Sequence, residues 1–237
     1  MSLLTQMRTA LGGLCGIDAA DLICQTCVAL LDVPAAAISL VCDGANVATL
    51  GASGDLARTL DEVHFTVGEG PGLDATVAHG SPMVVQDFAD SHERRWPIYG
   101  QVMLDHHIRG VIALPVAIGG RSYGALELFL TTPQRMHGQR WAAAVLAADL
   151  AGALLLDLFE EDTRHAADHA HDEPAWAGPH TAVRAEVAQA TGMVMAQLDI
   201  SPAEALLRLR AHAYATGIPA TEVAQAVVDR RLHLEPH

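Results

Sequence analysis

The sequence predicts two domains: an α+β domain with an antiparallel sheet flanked by helices, followed by an all-α domain of three helices. The first prediction rests on two apolar strand pairs, each joined by a short turn, with helical segments around them. The second rests on three successive apolar patterns of helical period after residue 180. A chain of 237 residues, 51% of them hydrophobic, is long enough to bury a core in each domain.

Turn residues and changes of period delimit the elements of the first domain. A helical pattern at 18–31 precedes a hairpin that turns at Asp43-Gly44, and a later hairpin turns at Gly119-Gly120. Sequential hairpins linked by a crossover favour a mostly antiparallel sheet. The predicted strands are 36–42, 47–50, 82–86, 108–118 and 122–130, and further helices are predicted at 72–79 and 92–106.

Residues 137–159 predict a long helix that is apolar on two sides. A helix of this kind needs two partners, so we expect it to pack on the sheet and on a second subunit, giving a homodimer. The alternative is a helix buried within one subunit. The predicted dimer seam consists of residues that recur every three or four positions: Trp141, Val145, Ala148, Gly152, Leu155 and Phe159.

The chain changes character after this helix. Residues 160–180 hold six acidic residues and two prolines, which indicates a charged helix extension followed by a linker. Further on, Ser201-Pro202-Ala203-Glu204 combines an N-cap serine, a first-turn proline and a capping-box glutamate, so a helix begins there. The predicted divisions are therefore 1–159, 160–180 and 181–237.

The charged residues of the chain exclude several classes of enzyme and limit the possible partners. All 14 basic residues are Arg, and the absence of Lys excludes a P-loop, a kinase-type strand lysine and Schiff-base chemistry. The net charge of −14 divides unevenly, with −13 in residues 1–180 and −1 in 181–237. Strong acidity argues against a nucleic-acid partner for the first part, but not for the nearly neutral second part.

Compartment and metal binding are constrained by composition. No apolar run reaches the roughly 20 residues that span a bilayer, since Asp149 interrupts the longest candidate, 141–156, and the N-terminus lacks a signal-peptide pattern. We therefore expect a cytoplasmic protein with free thiols. Cys24 and Cys27 lack a second ligand pair at zinc-site spacing and are interpreted as structural. We interpret His165, His169 and His171 as solvated, and predict no metal site.

A glycine-rich segment, Gly68-Glu69-Gly70-Pro71-Gly72, resembles a phosphate cradle only weakly, because the usual Lys and Ser/Thr are missing. We favour a turn that starts the next helix. Glu127 lies within an apolar strand and faces either a ligand pocket or solvent. Candidate pocket residues, each with ordinary core packing as the alternative, are Phe88, Trp96, Tyr99 and Glu127.

The C-terminal region resembles the ANTAR domain, the three-helix RNA-binding module of bacterial transcription antitermination regulators. The resemblance covers residues 181–233 and rests on 186–195 (EVAQATGMVM), 201–205 (SPAEA), 209–213 (LRAHA) and 222–224 (EVA). It implies that the module binds hairpin loops of nascent RNA. Thr191 stands where many members carry a basic residue.

The first 159 residues resemble a GAF sensor domain, through 68–72 (GEGPG), 82–87 (PMVVQD), 111–115 (VIALP) and 124–128 (GALEL). This resemblance implies a domain that receives a signal, in some members by binding a small molecule. Some GAF domains are redox enzymes or bind a bilin, but for this chain we predict no catalytic residue, no cofactor and no enzymatic activity. Here no cysteine follows Cys42, and the chain has no Cys-His dipeptide. We therefore do not expect this chain to have the redox activity or the bilin binding of those GAF domains.

Together the resemblances imply a signal-responsive RNA-binding regulator that promotes antitermination. The alternative is a ligand-binding or redox GAF protein whose helical tail binds another protein. Arg pairs bidentately with phosphates and guanine edges, and aromatic rings stack on unpaired RNA bases. Pairing with nearby acidic groups is the alternative for each Arg. The RNA-binding candidates are Arg184, Thr191, Arg208, Arg210, Tyr214, Arg230 and Arg231.

Overall fold

The computed structural model describes residues 2–11, 18–42, 45–77, 80–168 and 184–235. Side chains are described except for residues 42, 45 and 161–168. Within these ranges the elements follow in the order α1 (Leu3–Leu11), α2 (Asp18–Leu31), β1 (Ala35–Cys42), β2 (Ala45–Ala52), α3 (Asp55–Val67), α4 (Pro71–Val77), β3 (Met83–Val85), α5 (Pro97–Asp105), β4 (Gly110–Ile118), β5 (Arg121–Leu130), α6 (Gly138–Asp168), α7 (Ala185–Leu198), α8 (Pro202–Thr216) and α9 (Ala220–Val228).

The five strands form one antiparallel sheet in the order β2-β1-β5-β4-β3. Both predicted hairpins are present, as β1–β2 and β4–β5. Register places Glu127 of β5 opposite Ala37 of β1 and Ala113 of β4, at the centre of the sheet. The predicted fold class of the N-terminal domain, α+β with an antiparallel sheet, is confirmed.

Helices cover both faces of the sheet. On one face α1, α2 and α6 pack over Ile38, Ile112 and Leu126, in a core rich in Ala and Leu. On the other face α3 and α4 pack on the sheet, over a core that contains Ala37 and Phe129, and α5 packs against α3. Side chains alternate across a strand, so Leu126 and Glu127 point to opposite faces. Glu127 therefore points toward α3 and α4.

Helix α6 packs within the chain along its predicted dimer seam. Ala148 and Leu155 are buried, and Gly152 lies so close to the Ala117 carbonyl of β4 that a side chain there would collide with it. The Phe159 ring meets Tyr123 of β5 edge-on at 5.7 Å. The centre of the predicted seam is thus intramolecular, because the helix uses this face to cover its own sheet. Homodimerisation stays a prediction that these buried residues do not support.

Helix α6 contains a stretch, Gly138–Glu160, whose mean hydropathy of 1.9 and length would allow it to cross a membrane. The prediction that no segment reaches this threshold was therefore wrong, since one central Asp149 does not offset the surrounding Ala and Leu. Half of the most apolar window is buried inside the chain. We interpret it as the core helix of the N-terminal domain. The helix continues to Asp168, past the predicted division at 159, and the rest of the predicted linker lies outside the described residues.

The structure also tests the predicted start of one helix and the predicted role of the cysteines. Helix α5 begins at Pro97 rather than at 92, because Pro97 occupies the first turn and Asp87 and Asp90 form side-chain turns before it. Cys24 and Cys27 are free and buried, and burial raises the pKa of the Cys27 thiol to about 12. They are structural, as predicted. His165, His169 and His171 lie outside the residues whose side chains are described.

Candidate functional site

The C-terminal module, residues 184–235, is a three-helix bundle with its own core. The Ser201 hydroxyl caps α8 by accepting from the Glu204 backbone amide, and the Glu204 carboxylate accepts from the Ser201 backbone amide. These two bonds confirm the predicted capping box. Gly217 ends the helix in a left-handed conformation, with φ of 67°. The predicted fold of three helices is confirmed. Its core contains Val187, Ala190, Val194, Leu209, Ala213, Val223 and Val227.

Three of the five candidate arginines lie outside the contact with the N-terminal domain: Arg230 and Arg231 are exposed, and Arg208 is half-buried. Arg208 donates to the Glu235 carbonyl at 3.3 Å, and Arg231 forms an ion pair with Asp229 at 2.9 Å. Arg230 is exposed and makes no side-chain bond within the described part of the chain. Bonds of this kind at an exposed surface are weak, so these three side chains are available to a phosphate.

Two further candidates are also accessible. The Tyr214 side chain on α8 is 57% exposed, as a stacking surface would be. Thr191 bonds back to the Val187 carbonyl at 2.7 Å and lies beside Gly192 on α7. A side chain at Gly192 would meet nothing within 4 Å, so close helix packing does not explain this glycine.

Arg184, at the N-terminus of α7, is inserted into the N-terminal domain. Its side chain is only 7% exposed and pairs with Asp61 at 3.1 Å and Glu62 at 3.3 Å, both on α3. It also donates to Asn46 Oδ1 at 2.9 Å, and its guanidinium carbon lies 4.0 Å from the centroid of the Phe65 ring. An ion pair this deeply buried is costly to break from one side.

Arg210 approaches the same aromatic ring, with its guanidinium carbon 4.8 Å from the Phe65 centroid. Its Nε and Nη2 atoms are buried and have no hydrogen-bond partner among the described residues. Burial, and secondarily the charge of Arg184, lower the pKa of Arg210 to about 10. This arginine is withdrawn from solvent without an acidic partner, in contrast to Arg184.

Helix α3 supplies most of the contacts between the two parts. Besides Asp61 and Phe65, the Glu62 carboxylate accepts from the amide and hydroxyl of Thr221, at 3.1 and 3.0 Å. The Thr66 hydroxyl accepts from the Ala220 amide at 3.2 Å. We call this set of contacts, between 61–66 on α3 and residues 184, 210, 220 and 221, the junction. It buries Arg184 and covers part of Arg210, including its Nε and Nη2 atoms, so it limits the access of RNA to two of the five candidate arginines.

Asp61 lies at the centre of a buried hydrogen-bond network. One carboxylate oxygen accepts from Ser39 at 2.5 Å and Asn46 at 3.1 Å, and the other accepts from Thr49 and Arg184. These donors come from β1, β2 and α7, so one carboxylate joins the edge hairpin of the sheet to the C-terminal module. Its lone pairs are fully used.

One turn along α3, His64 forms a fully buried pair with Glu127, with Nδ1 and Oε2 3.0 Å apart. Burial alone would lower the pKa of His64, but the charge of Glu127, their hydrogen bond and the charge of Asp61 together raise it. Glu127 faces the interior, so its solvent-facing alternative was wrong. His64 Nε2, Glu127 Oε1 and the Tyr99 hydroxyl are buried without a well-formed hydrogen bond among the described residues.

The structure brings the predicted pocket residues together around this pair. The Tyr99 ring meets His64 and Phe88 edge-on, at 5.6 and 5.8 Å. Trp96 borders the same core and donates to Asp74 at 3.1 Å. Whether the cluster admits a ligand stays a prediction.

The glycine-rich segment packs against this cluster. Gly68 ends α3 with φ of 72°, and α4 begins at Pro71, so the segment is the predicted turn into the next helix. A Cβ at Gly72 would lie 2.6 Å from His64 Cε1 and 2.9 Å from Glu127 Cδ. Glycine fits here because the first turn of α4 lies directly against the buried pair.

Asp61, His64 and Glu127 bring three potential ligand atoms within 4.8 Å of one another, a spacing compatible with a metal ion. However, both oxygens of Asp61 already accept from four donors, one of them a cationic guanidinium. Only His64 and Glu127 remain as ligands, fewer than the three protein groups of a typical catalytic metal site. The donor set does not fit a resident metal.

The sequence reasoning missed Asp61, His64 and Phe65. Their signal is visible in hindsight, because 57, 60, 61, 64 and 65 follow one face of α3, and two of these five positions are ionisable. An ionisable residue on an otherwise apolar face is a candidate for a buried pair. The partner of each, however, comes from a distant part of the chain.

Comparison with known proteins agrees with this architecture. The sequence profile of the GAF domain matches residues 18–156, and that of the ANTAR domain matches 181–228. No curated protein matches the chain.

Two similar solved structures show the fold of the N-terminal domain. The GAF domain from a Coxiella burnetii phosphoenolpyruvate-protein phosphotransferase has a TM-score of 0.54 at 16% identity, covering 68% of this chain and 95% of that one. The GAF domain from the Acinetobacter phosphoenolpyruvate-protein phosphotransferase has a TM-score of 0.51 at 11% sequence identity, and the match covers 72% of this chain and 96% of that one.

Proposed function

Because the chain belongs to the GAF domain family and carries an ANTAR domain after it, we propose that it promotes transcription antitermination by binding hairpin loops in nascent RNA. Both families are regulatory, one sensory and one RNA-binding, so a signal-responsive regulator is the general class. The proposal adds the mechanism, the cytoplasmic location and the control of RNA binding by the sensor. We expect no catalytic step.

The observation that carries the proposal is the position of Arg184 and Arg210. Both are candidate RNA-binding residues; Arg184 is buried against the sensor helix α3, and Arg210 is half-buried over Phe65 of the same helix. In this closed arrangement only three of the five candidate arginines, Arg208, Arg230 and Arg231, lie outside the junction. A signal that loosens α3 would release two more arginines. The apparent affinity for RNA would then follow the fraction of molecules in the open arrangement.

The unpartnered polar atoms beside His64 and Glu127 suggest where a signal enters. These two residues lie between α3, the sheet and the glycine-rich turn, one helical turn from Asp61. A small ligand that bonds to them, or a change in their protonation, would act on the helix that holds Arg184. The alternative function, a sensor whose tail binds a protein, would leave RNA unbound in the test below.

The experiment measures binding of the full-length protein to RNA hairpins with randomised loops, enriched by repeated selection. Selected RNAs are then tested as single hairpins, as tandem hairpins and with scrambled loops. We expect tandem hairpins to bind more tightly than single ones, because two linked sites raise the effective concentration. Failure to enrich any RNA, or equal binding to the scrambled loops, would overturn the proposal.

The salt dependence of binding reports how many arginines reach phosphate. For single-stranded RNA the slope of log K against log salt is about −0.7 for each phosphate contact. The three arginines outside the junction therefore limit each closed module to a slope of about −2, and five arginines limit each open module to about −3.5. Single-round transcription through a terminator placed after the selected RNA then tests antitermination directly.

A further inference from the structure

A cavity of about 620 Å³ lies between the two parts of the chain, apart from the His64–Glu127 cluster. The sensor forms one wall with Val63 and Val67 of α3 and Val102 of α5. The C-terminal module forms the other wall with Tyr214 and Ile218, where α8 turns into α9. Its volume is that of a small-molecule site, and interfaces between domains are a preferred location for such sites.

The cavity walls are mainly apolar, although they are open to solvent. Tyr214 and Ile218 are 57% and 41% exposed, and both border the cavity. A ligand that covers large side chains of this kind is stabilised by the hydrophobic effect, in proportion to the apolar area removed from water. The tyrosine ring also offers a face on which a flat or cationic group can lie.

The polar groups around the cavity leave a negative charge unmatched. Arg58 is paired with Asp21 at 2.9 Å, and Glu62 shares Arg184 with Asp61. Glu222 borders the cavity, is exposed, and makes no ion pair or side-chain hydrogen bond within the described residues. A positively charged ligand would meet this carboxylate, whereas an anion would be repelled by it.

We propose that this cavity binds an organic amine with an aromatic or similarly apolar body, whose ring lies between Val102 and Ile218 and whose ammonium faces Glu222. The two walls belong to different modules, so the ligand bridges them and stabilises the closed arrangement. Linkage then requires that the amine weaken RNA binding by the same factor by which RNA weakens amine binding. This second effector site goes beyond the proposed function.

The test uses three fluorescent probes that share one ring system and differ in charge: dansylcadaverine (cationic), dansylamide (neutral) and dansylglycine (anionic). Each is titrated into the full-length protein without RNA, so the result does not depend on RNA binding. We expect dansylcadaverine to bind about fivefold more tightly than dansylamide, as a partly exposed charge pair of about 1 kcal/mol gives. Glu222→Gln removes this preference and leaves dansylamide binding unchanged.

Two variants locate the site, one on each wall. Val102→Trp fills the cavity from the sensor, and Ile218→Trp fills it from the C-terminal module. Leu207→Trp is the control, because Leu207 is 65% exposed on α8 and does not border the cavity. We expect each of the first two variants to lower dansylcadaverine affinity at least tenfold, and the control to bind like the parent.

Equal binding of the three probes would overturn the assignment of an amine. Loss of binding in only one wall variant, with both variants folded by circular dichroism, would show that the site does not lie between the modules. If one variant fails to fold, the other together with Glu222→Gln decides the matter.

Discussion

Arg210 of the RNA-binding module lies over the ring of Phe65 in the sensor, with two guanidinium nitrogens buried and unpaired. Its Nη1 atom lies close to Gly68, where α3 ends, and the negative end of that helix partly compensates the charge. The closed arrangement thus contains one well-satisfied arginine, Arg184, and one poorly satisfied one. The first anchors the module and the second favours its release.

Replacement of Arg210 by methionine separates these roles. Arg210→Met retains most of the apolar contact with Phe65 and removes a buried charge that lacks an acceptor. We expect the free energy of unfolding to increase by about 1–2 kcal/mol, measured in urea. RNA affinity should fall, because one phosphate contact is lost and the closed arrangement is favoured. Arg208→Met is the control, because Arg208 lies outside the junction and donates to the Glu235 carbonyl; it should weaken RNA binding without stabilising the fold.

Asp61→Asn tests the anchor. The change removes the charge that pairs with Arg184 and leaves the shape of the side chain intact, so the buried guanidinium loses its main partner. We expect a loss of about 3–5 kcal/mol of stability and tighter RNA binding, because the junction opens. Hydrogen exchange in α3 and α7 reports the opening.

Arg58→Gln is the matched control for Asp61→Asn, because it breaks an exposed pair with Asp21 that contributes about 1 kcal/mol or less. Lower stability in Asp61→Asn without any gain in RNA affinity would contradict a closed, inhibited junction.

Stability should depend on pH through His64. Its pKa is raised in the folded state, so the protonated form is favoured by folding. The resulting stabilisation is complete below the unfolded value of 6.5 and is lost as pH rises through the raised folded value. The urea midpoint should therefore fall as pH increases from about 6.5.

His64→Gln should remove this component of the pH dependence. His92→Gln, which breaks an exposed pair with Asp90, should retain it. A parallel decline in both variants would show that other groups are responsible.

Gly192 offers a test of the RNA-binding face. Alanine there meets nothing within 4 Å, and glycine within a helix costs about 0.5–1 kcal/mol relative to alanine. We expect Gly192→Ala to raise the melting temperature and to lower RNA affinity, because the bare backbone beside Thr191 permits close approach of RNA. Unchanged RNA affinity in the stabilised variant would place the RNA interface elsewhere.

Local signals in the sequence were sufficient for most of the fold. The capping box at Ser201 and the glycine turn at Gly119-Gly120 depend on neighbouring residues, and the structure contains both. The seam on α6 was assigned to a second subunit because its period suits a coiled coil as well as packing on a sheet. The sequence cannot distinguish these two uses of one apolar face.

The candidate site was less predictable because its contacts join distant residues. Arg184 and Asp61 are 123 positions apart, and Arg184 and Asn46 are 138 apart. Composition and period identify arginines suited to phosphate, but not whether a sensor helix covers them. His64 and Glu127 each interrupt an apolar pattern, and only the register of β5 brings them together.

The Arg184 backbone amide also lies 3.4 Å from the Val47 carbonyl of β2, which is the edge strand of the sheet. The module therefore shields part of an edge that would otherwise present an unpaired carbonyl. Opening the junction exposes this strand together with the charge of Asp61. The released form is consequently more prone to pair with another copy through strand addition, so prolonged activation without RNA should favour self-association.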